Sequence, residues 1–144
     1  KTRAAGFGDE VKRRMIIGTA VLSSESYDVY FMQAARVRRM IADSFRDAFE
    51  KCDLIVCPSA SGTALPLDSD LSPLEYYALD LFTVAMNLAG VPACSVPAGM
   101  AENGLPLGLQ VVGPRFADMR VLGLAKLIET AAALDNRPTK IMGK

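Results

Sequence analysis

Between Glu75 and Glu102 the sequence holds one charged residue, Asp80, and from Leu81 to Ala101 it holds none. A run that long without charge has to be shielded from water, by lipid or by protein. The stretch "NLAGVPACSVPAG", Asn87 to Gly99, decides between them. Pro92 and Pro97 would each break a spanning helix, and Asn87, Gly90 and Ser95 interrupt the apolar run further. The segment is therefore expected inside a globular domain, with no membrane span. Because proline has no amide hydrogen, Pro92 and Pro97 belong at the ends of a strand over Ala93–Val96, one too short and too apolar for a sheet edge.

On either side of that run the apolar spacing alternates between helix and strand. Gly8 and Asp9 make an N-cap, and Val11, Met15, Ile16 and Val21 predict a helix that continues past Gly18. In "ESYDVYFMQAARVRRMIADSFRDAFEK" the stripe Ala34, Val37, Ile41, Phe45, Ala48 and Phe49 predicts one long helix. Leu54–Cys57 reads as a buried strand stopped by Pro58. "PLEYYALDLFTVAMNLAG" reads as a single helix, with Pro73 in its first turn and Gly90 as its stop. Asn103-Gly104 makes a turn into the strand "LGLQVVG". A last helix, "ADMRVLGLAKLIETAAAL", buries Val121, Leu124, Ala125, Ile128 and Ala132, with Asp118 capping its start. The expectation is an α/β fold of about four helices and three short, doubly buried strands. Four helices cover both faces of such strands only in part, so the strands read as the edge of a larger sheet.

Composition removes several kinds of chemistry. Sixteen basic residues balance sixteen acidic ones in 144, which excludes a broad phosphate-binding face. With no histidine there is no Ser-His or Cys-His pair and no histidine metal site. Cys52, Cys57 and Cys94 have no metal or disulfide spacing and predict a reduced, cytoplasmic compartment with each thiol buried. No phosphate loop, Gly-x-Ser-x-Gly elbow or His-Glu-x-x-His occurs. The start, "KTRAAGFGDE", has no initiator Met and no signal peptide, and it reads as a chain entered midway.

A few residues remain as candidates. Ser59 and Ser61 follow a strand end, where nucleophiles often sit, but no base is placed for either and both suit turns. Ser95 reads as a small strand residue bonded to backbone. Asp80 lies among Leu79, Leu81 and Phe82 on a helix with no Lys or Arg. If buried, it needs a cation, either an arginine of this chain or the ammonium of a ligand; otherwise the helix turns it to solvent. Arg13 and Arg14 sit where a polar turn meets Met15-Ile16-Ile17. They suit a solvated face, although Arg14 is also placed to offer its planar fork to a carboxylate.

Five blocks in order, "GFGDEVKRRMIIGTAVLS", "YDVYFMQAARVRRMI", "DLIVCPSA", "DLFTVAMNLAGVPACSVPAG" and "GLPLGLQVVGPRFAD", resemble the C-terminal portion of the amidase signature family. Within it they are most similar to the A subunits of aspartyl/glutamyl-tRNA amidotransferases. The resemblance runs from about Ala5 to Ala133. It implies a mixed sheet wrapped by helices, with 1–144 as a single C-terminal segment of that domain. It also implies amide hydrolysis by a Ser–cis-Ser–Lys triad. Nothing in 1–144 matches that triad, so the segment alone is expected to be inactive. The family's substrate-binding arginine falls on Arg14 and its acidic partner on Asp80. The implied ligand is glutamine, its α-carboxylate on Arg14 and its α-ammonium on Asp80. Implied partners are the B and C subunits, with tRNA reached through the complex only. ATP and magnesium are implied for the complete complex, and no cofactor for this chain. Two alternatives stay open: a small-carboxamide amidase without tRNA, and a non-catalytic interaction module. With the rest of the sheet missing, the isolated segment is expected to self-associate.

Overall fold

The computed structural model describes residues 5–134, which fall into two compact units divided between Met40 and Ile41. In the first, helix α1 (Asp9–Val21) starts at Gly8 and runs through Gly18 as the spacing predicts. Asp9 and Glu10 occupy its first turn, where the helix dipole favours carboxylates. No residue of α1 is buried, and Ile16 is 70% exposed. The long helix expected from Glu25 begins instead with a π-helical turn, Tyr27–Phe31, before α2 (Met32–Phe49). The Met32 amide reaches back to the Tyr27 carbonyl, and the Tyr27 and Phe31 rings stack with centroids 4.8 Å apart.

The second unit begins within α2, where Ile41, Phe45, Ala48 and Phe49 form a half-buried stripe at helical spacing. It continues with β1 (Ile55–Pro58), α3 (Pro73–Leu79), α4 (Val84–Ala89), β2 (Ala93–Met100), β3 (Pro106–Val112) and α5 (Asp118–Ala132). The strands form an antiparallel sheet in the order β1-β3-β2. Register assigns its faces. Val56 and Cys94 oppose Val111, and Val96 opposes Leu109, so these residues share one side. On that side α5 lays Val121 and Ala125 against Val96 and Val111, with Leu54, Leu124 and Ile128 around them. Val111 and Val112 are fully buried, and each such side chain contributes about 2 kcal/mol. All five residues expected inside α5 are buried or half-buried.

Five local expectations are corrected. The helix predicted over residues 73–90 is two, α3 and α4, so the described residues hold more helices than the four or so expected. The break has a cause: the Asp80 carbonyl accepts from Thr83 N, Val84 N and Thr83 Oγ1, at 3.0, 3.0 and 3.1 Å. A threonine hydroxyl that bonds backbone competes with the helical ladder. Strand β2 continues beyond Val96 to Met100, and among the described residues it is an edge. Its ladder shifts register between Pro97 and Gly99, which accommodates a proline that cannot donate. The strands are not buried on both faces, for Val56 is 47% exposed. Asp118 is the first residue of α5 rather than its cap; Ala117 holds the N-cap position without a side-chain bond. None of the three free thiols is fully buried: Cys52 is exposed, and Cys57 and Cys94 are half-buried.

Candidate functional site

The two ends of the α3–α4 pair are set by local chemistry. Ser72 and Glu75 form a reciprocal capping box at the start of α3, with Pro73 in its first turn. Gly90, at φ +70°, ends α4 in the left-handed conformation that glycine adopts without strain. Between them Asp80 closes α3 at φ −85°, ψ 2°.

Asp80 lines a shallow hollow of about 290 Å³ with Ile41, Tyr77, Leu81, Val84, Ala85 and Leu88. Apart from the Tyr77 hydroxyl and the Asp80 carboxylate, the side chains around it are hydrocarbon. Asp80 is exposed, and among the described residues its carboxylate makes no ion pair. The burial penalty that called for a cation therefore does not apply. What remains is a carboxylate beside an apolar wall, an arrangement that suits a small ligand with a positive end.

Three bonds fix the turn that carries it. Thr83 Oγ1 donates to the Asp80 carbonyl at 3.1 Å, and Asn87 Nδ2 to the Thr83 carbonyl at 2.8 Å. The third comes from the sheet: Gln110 Nε2 donates to the Phe82 carbonyl at 2.6 Å. Gln110 is 6% exposed, and its amide also lies 3.6 Å from Cys57 Sγ. Sequence reasoning passed over Gln110. The signal was there, because a polar residue inside "LGLQVVG" must find a partner when buried.

Gln110 belongs to the sheet face turned away from α5, which it shares with Cys57, Ser59 and Ser95. The Ser59 and Ser95 hydroxyls bond each other at 2.6 Å. They meet over Gly108, where a Cβ would stand 2.9 Å from Ser59 Oγ and 3.2 Å from Ser95 Oγ. Ser95 thus bonds a side chain rather than the backbone partner expected of it. Ser61 is an exposed loop residue.

Arg14 belongs to the first unit and Asp80 to the second. Arg14 Nε donates to Glu10 Oε1 at 2.9 Å, while Glu10 Oε2 accepts from Arg13 Nη1 at 3.0 Å. The Arg14 side chain is 60% exposed, and a surface pair of this kind contributes only about 0.5 kcal/mol. Among the described residues no cluster of three or more His, Cys, Asp or Glu side chains is placed to hold a metal. Nor is any helix there long and apolar enough to cross a membrane.

Comparison with known proteins gives this geometry a context. The family model described as Amidase matches residues 1–122. The A subunit of the glutamyl-tRNA(Gln) amidotransferase of Neisseria gonorrhoeae is 51% identical over 129 residues, which is 90% of this chain and 27% of that protein. The crystal structure of the corresponding A subunit from Thermotoga maritima superposes with a TM-score of 0.70 at 46% identity. It is matched over 90% of this chain and 28% of its own. A crystal structure of an amidase gives a TM-score of 0.72 at 26% identity, over 90% of this chain and 30% of its own. The chain spans about a quarter of the length of the curated relatives it matches.

Proposed function

Because this chain belongs to the amidase family, we propose that it forms the amino-acid-gripping part of a glutamine-hydrolysing A subunit. The observation that carries the proposal is the Asp80 carboxylate at the edge of an apolar hollow, in a chain 51% identical to an amidotransferase A subunit. Asp80 takes the α-ammonium of glutamine, and Arg14 takes its α-carboxylate through a bidentate fork. A plain carboxamide offers neither charge, so bonds to both select an amino acid over other amides.

Cleavage of the side-chain amide is assigned to a Ser–cis-Ser–Lys triad outside these 144 residues. The complete subunit releases ammonia, and partner B and C subunits use it to convert Glu-tRNA(Gln) to Gln-tRNA(Gln). ATP, magnesium and tRNA are assigned to those partners, and the assembly to the cytoplasm. The likeness to a crystallised amidase supports a second reading, hydrolysis of small carboxamides without tRNA.

Steady-state glutaminase kinetics of the complete subunit decide between the two. Loss of one charge-assisted bond costs about 1.5–3 kcal/mol, which is roughly a 10- to 150-fold rise in KM. Asp80→Asn and Arg14→Ala are each expected to raise the KM for glutamine on that scale, with kcat little changed. Unchanged KM values in both variants refute the assignment and favour the plain amidase.

A further inference from the structure

Gln110 holds the Asp80 turn to the sheet. The other two side-chain bonds that shape this turn, from Thr83 and Asn87, are internal to the α3–α4 segment. They define its local shape. The Gln110 amide, 28 residues away in sequence and anchored in the central strand, reaches the Phe82 carbonyl at 2.6 Å. Val111 and Val112, next in the strand, are fully buried, so the donor stands on the firmest part of the unit. Phe82 lies two residues beyond Asp80 and inside the same turn.

We infer that Gln110 is a positioning residue for the Asp80 carboxylate. It fixes where the turn presents that group over the hollow, and so tunes recognition of the ammonium without touching the ligand. This rests on the assignment of Asp80 to the α-ammonium of glutamine. A buried amide needed only for packing would affect every substrate alike. One that works through Asp80 affects only substrates that use Asp80.

The test uses the complete subunit in its assembled complex with two substrates, glutamine and glutaramate. Glutaramate keeps the amide and the carboxylate but lacks the α-ammonium. Gln110→Met preserves length and removes the donor. It is expected to raise the KM for glutamine about tenfold, leave kcat within about threefold, and leave the KM for glutaramate within about twofold. In an Asp80→Asn background the same change should add less than about twofold, because the two residues act on one interaction. Equal losses on both substrates, or a full additional loss in that background, overturn the inference. So does an unchanged KM for glutamine in Gln110→Met while Asp80→Asn keeps its defect; only the role of Gln110 then falls. An unchanged KM in Asp80→Asn overturns the ammonium assignment and this inference with it. If Gln110→Met does not fold, Gln110→Leu, which also lacks the donor, is read with the same two substrates.

Discussion

Gly113 sits where β3 leaves the sheet for α5, and a methyl group there meets one side chain that cannot yield. A Cβ on Gly113 would lie 2.6 Å from Val121 Cγ2, 3.1 Å from Leu54 Cδ2 and 3.6 Å from Ala117 Cβ. Carbon atoms prefer about 3.5–4.0 Å, so the contact with Val121 is short by about 1 Å. Leu54 is half-buried and has a rotatable side chain. Val121 is 2% exposed and β-branched on a helix, which leaves it one favoured rotamer. The helix must therefore move off the sheet, loosening Val121 and Ala125 from Val96 and Val111. Overpacking of this kind costs about 1–3 kcal/mol. Against it stands about 0.4–1 kcal/mol gained because alanine restricts the unfolded chain. Gly113→Ala is thus expected to destabilise by about 1–2 kcal/mol. Equilibrium urea denaturation followed by circular dichroism reads this directly; a slope of about 1.5 kcal/mol/M places the midpoint about 1 M lower. Val121→Ala alone should cost about 1.6 kcal/mol for its two lost methyl groups. Combined, the two changes should cost at least about 1 kcal/mol less than their sum, because the truncated side chain makes room for the added methyl. A neutral Gly113→Ala, or strict additivity in the pair, would refute the argument.

Gly90→Ala tests backbone strain without crowding: φ is +70° and no atom lies within 4 Å of the new Cβ, so a loss of about 1 kcal/mol is expected, and no change in the urea midpoint would count against a left-handed cap. The capping box predicts a pH dependence. Glu75 is held below its ordinary carboxyl value of 4.5 chiefly by the Ser72 hydroxyl, and next by the Ser72 amide. Its folded value lies below its unfolded one, so the stabilisation is complete above about 4.5 and fades as pH falls through the lower value. The stability gap between wild type and Ser72→Ala should accordingly narrow in acid, and a gap that widens there would reverse the assignment. Thiol labelling with Ellman's reagent under native conditions should modify the exposed Cys52 first and leave Cys57 and Cys94 slower; three equal rates would contradict the burial pattern.

Where one periodicity or one obligatory conformation decides, the sequence was enough. The stripe of α5 and the Asn103-Gly104 turn follow from spacing and from glycine's access to positive φ, and Gly104 sits at φ +76°. Where two local preferences compete, it was not. The run from Pro73 to Gly90 has helical content throughout, and only the side-chain bond from Thr83 to the Asp80 carbonyl reveals the break. Pro97 reads as a strand end because proline cannot donate, yet an edge position with a register shift removes the need to donate. The candidate site divides in the same way. Asp80 stood out as an isolated charge among apolar residues. Gln110 did not, because its importance lies in a bond to a backbone carbonyl 28 residues away, and no local pattern encodes such a partner.

The two outer strands share a property that bears on what can lie alongside them. Strand β1 ends at Pro58, and β2 is bounded by Pro92 and interrupted at Pro97. Each margin therefore offers a neighbour only short spans of consecutive hydrogen-bonding groups, Ile55–Cys57 on one side, and Ala93–Val96 and Ala98–Met100 on the other. A stray strand gains little by docking there, whereas a neighbour aligned to those brief windows meets no obstruction. The imino acids that looked like mere punctuation thus act as a filter on lateral growth.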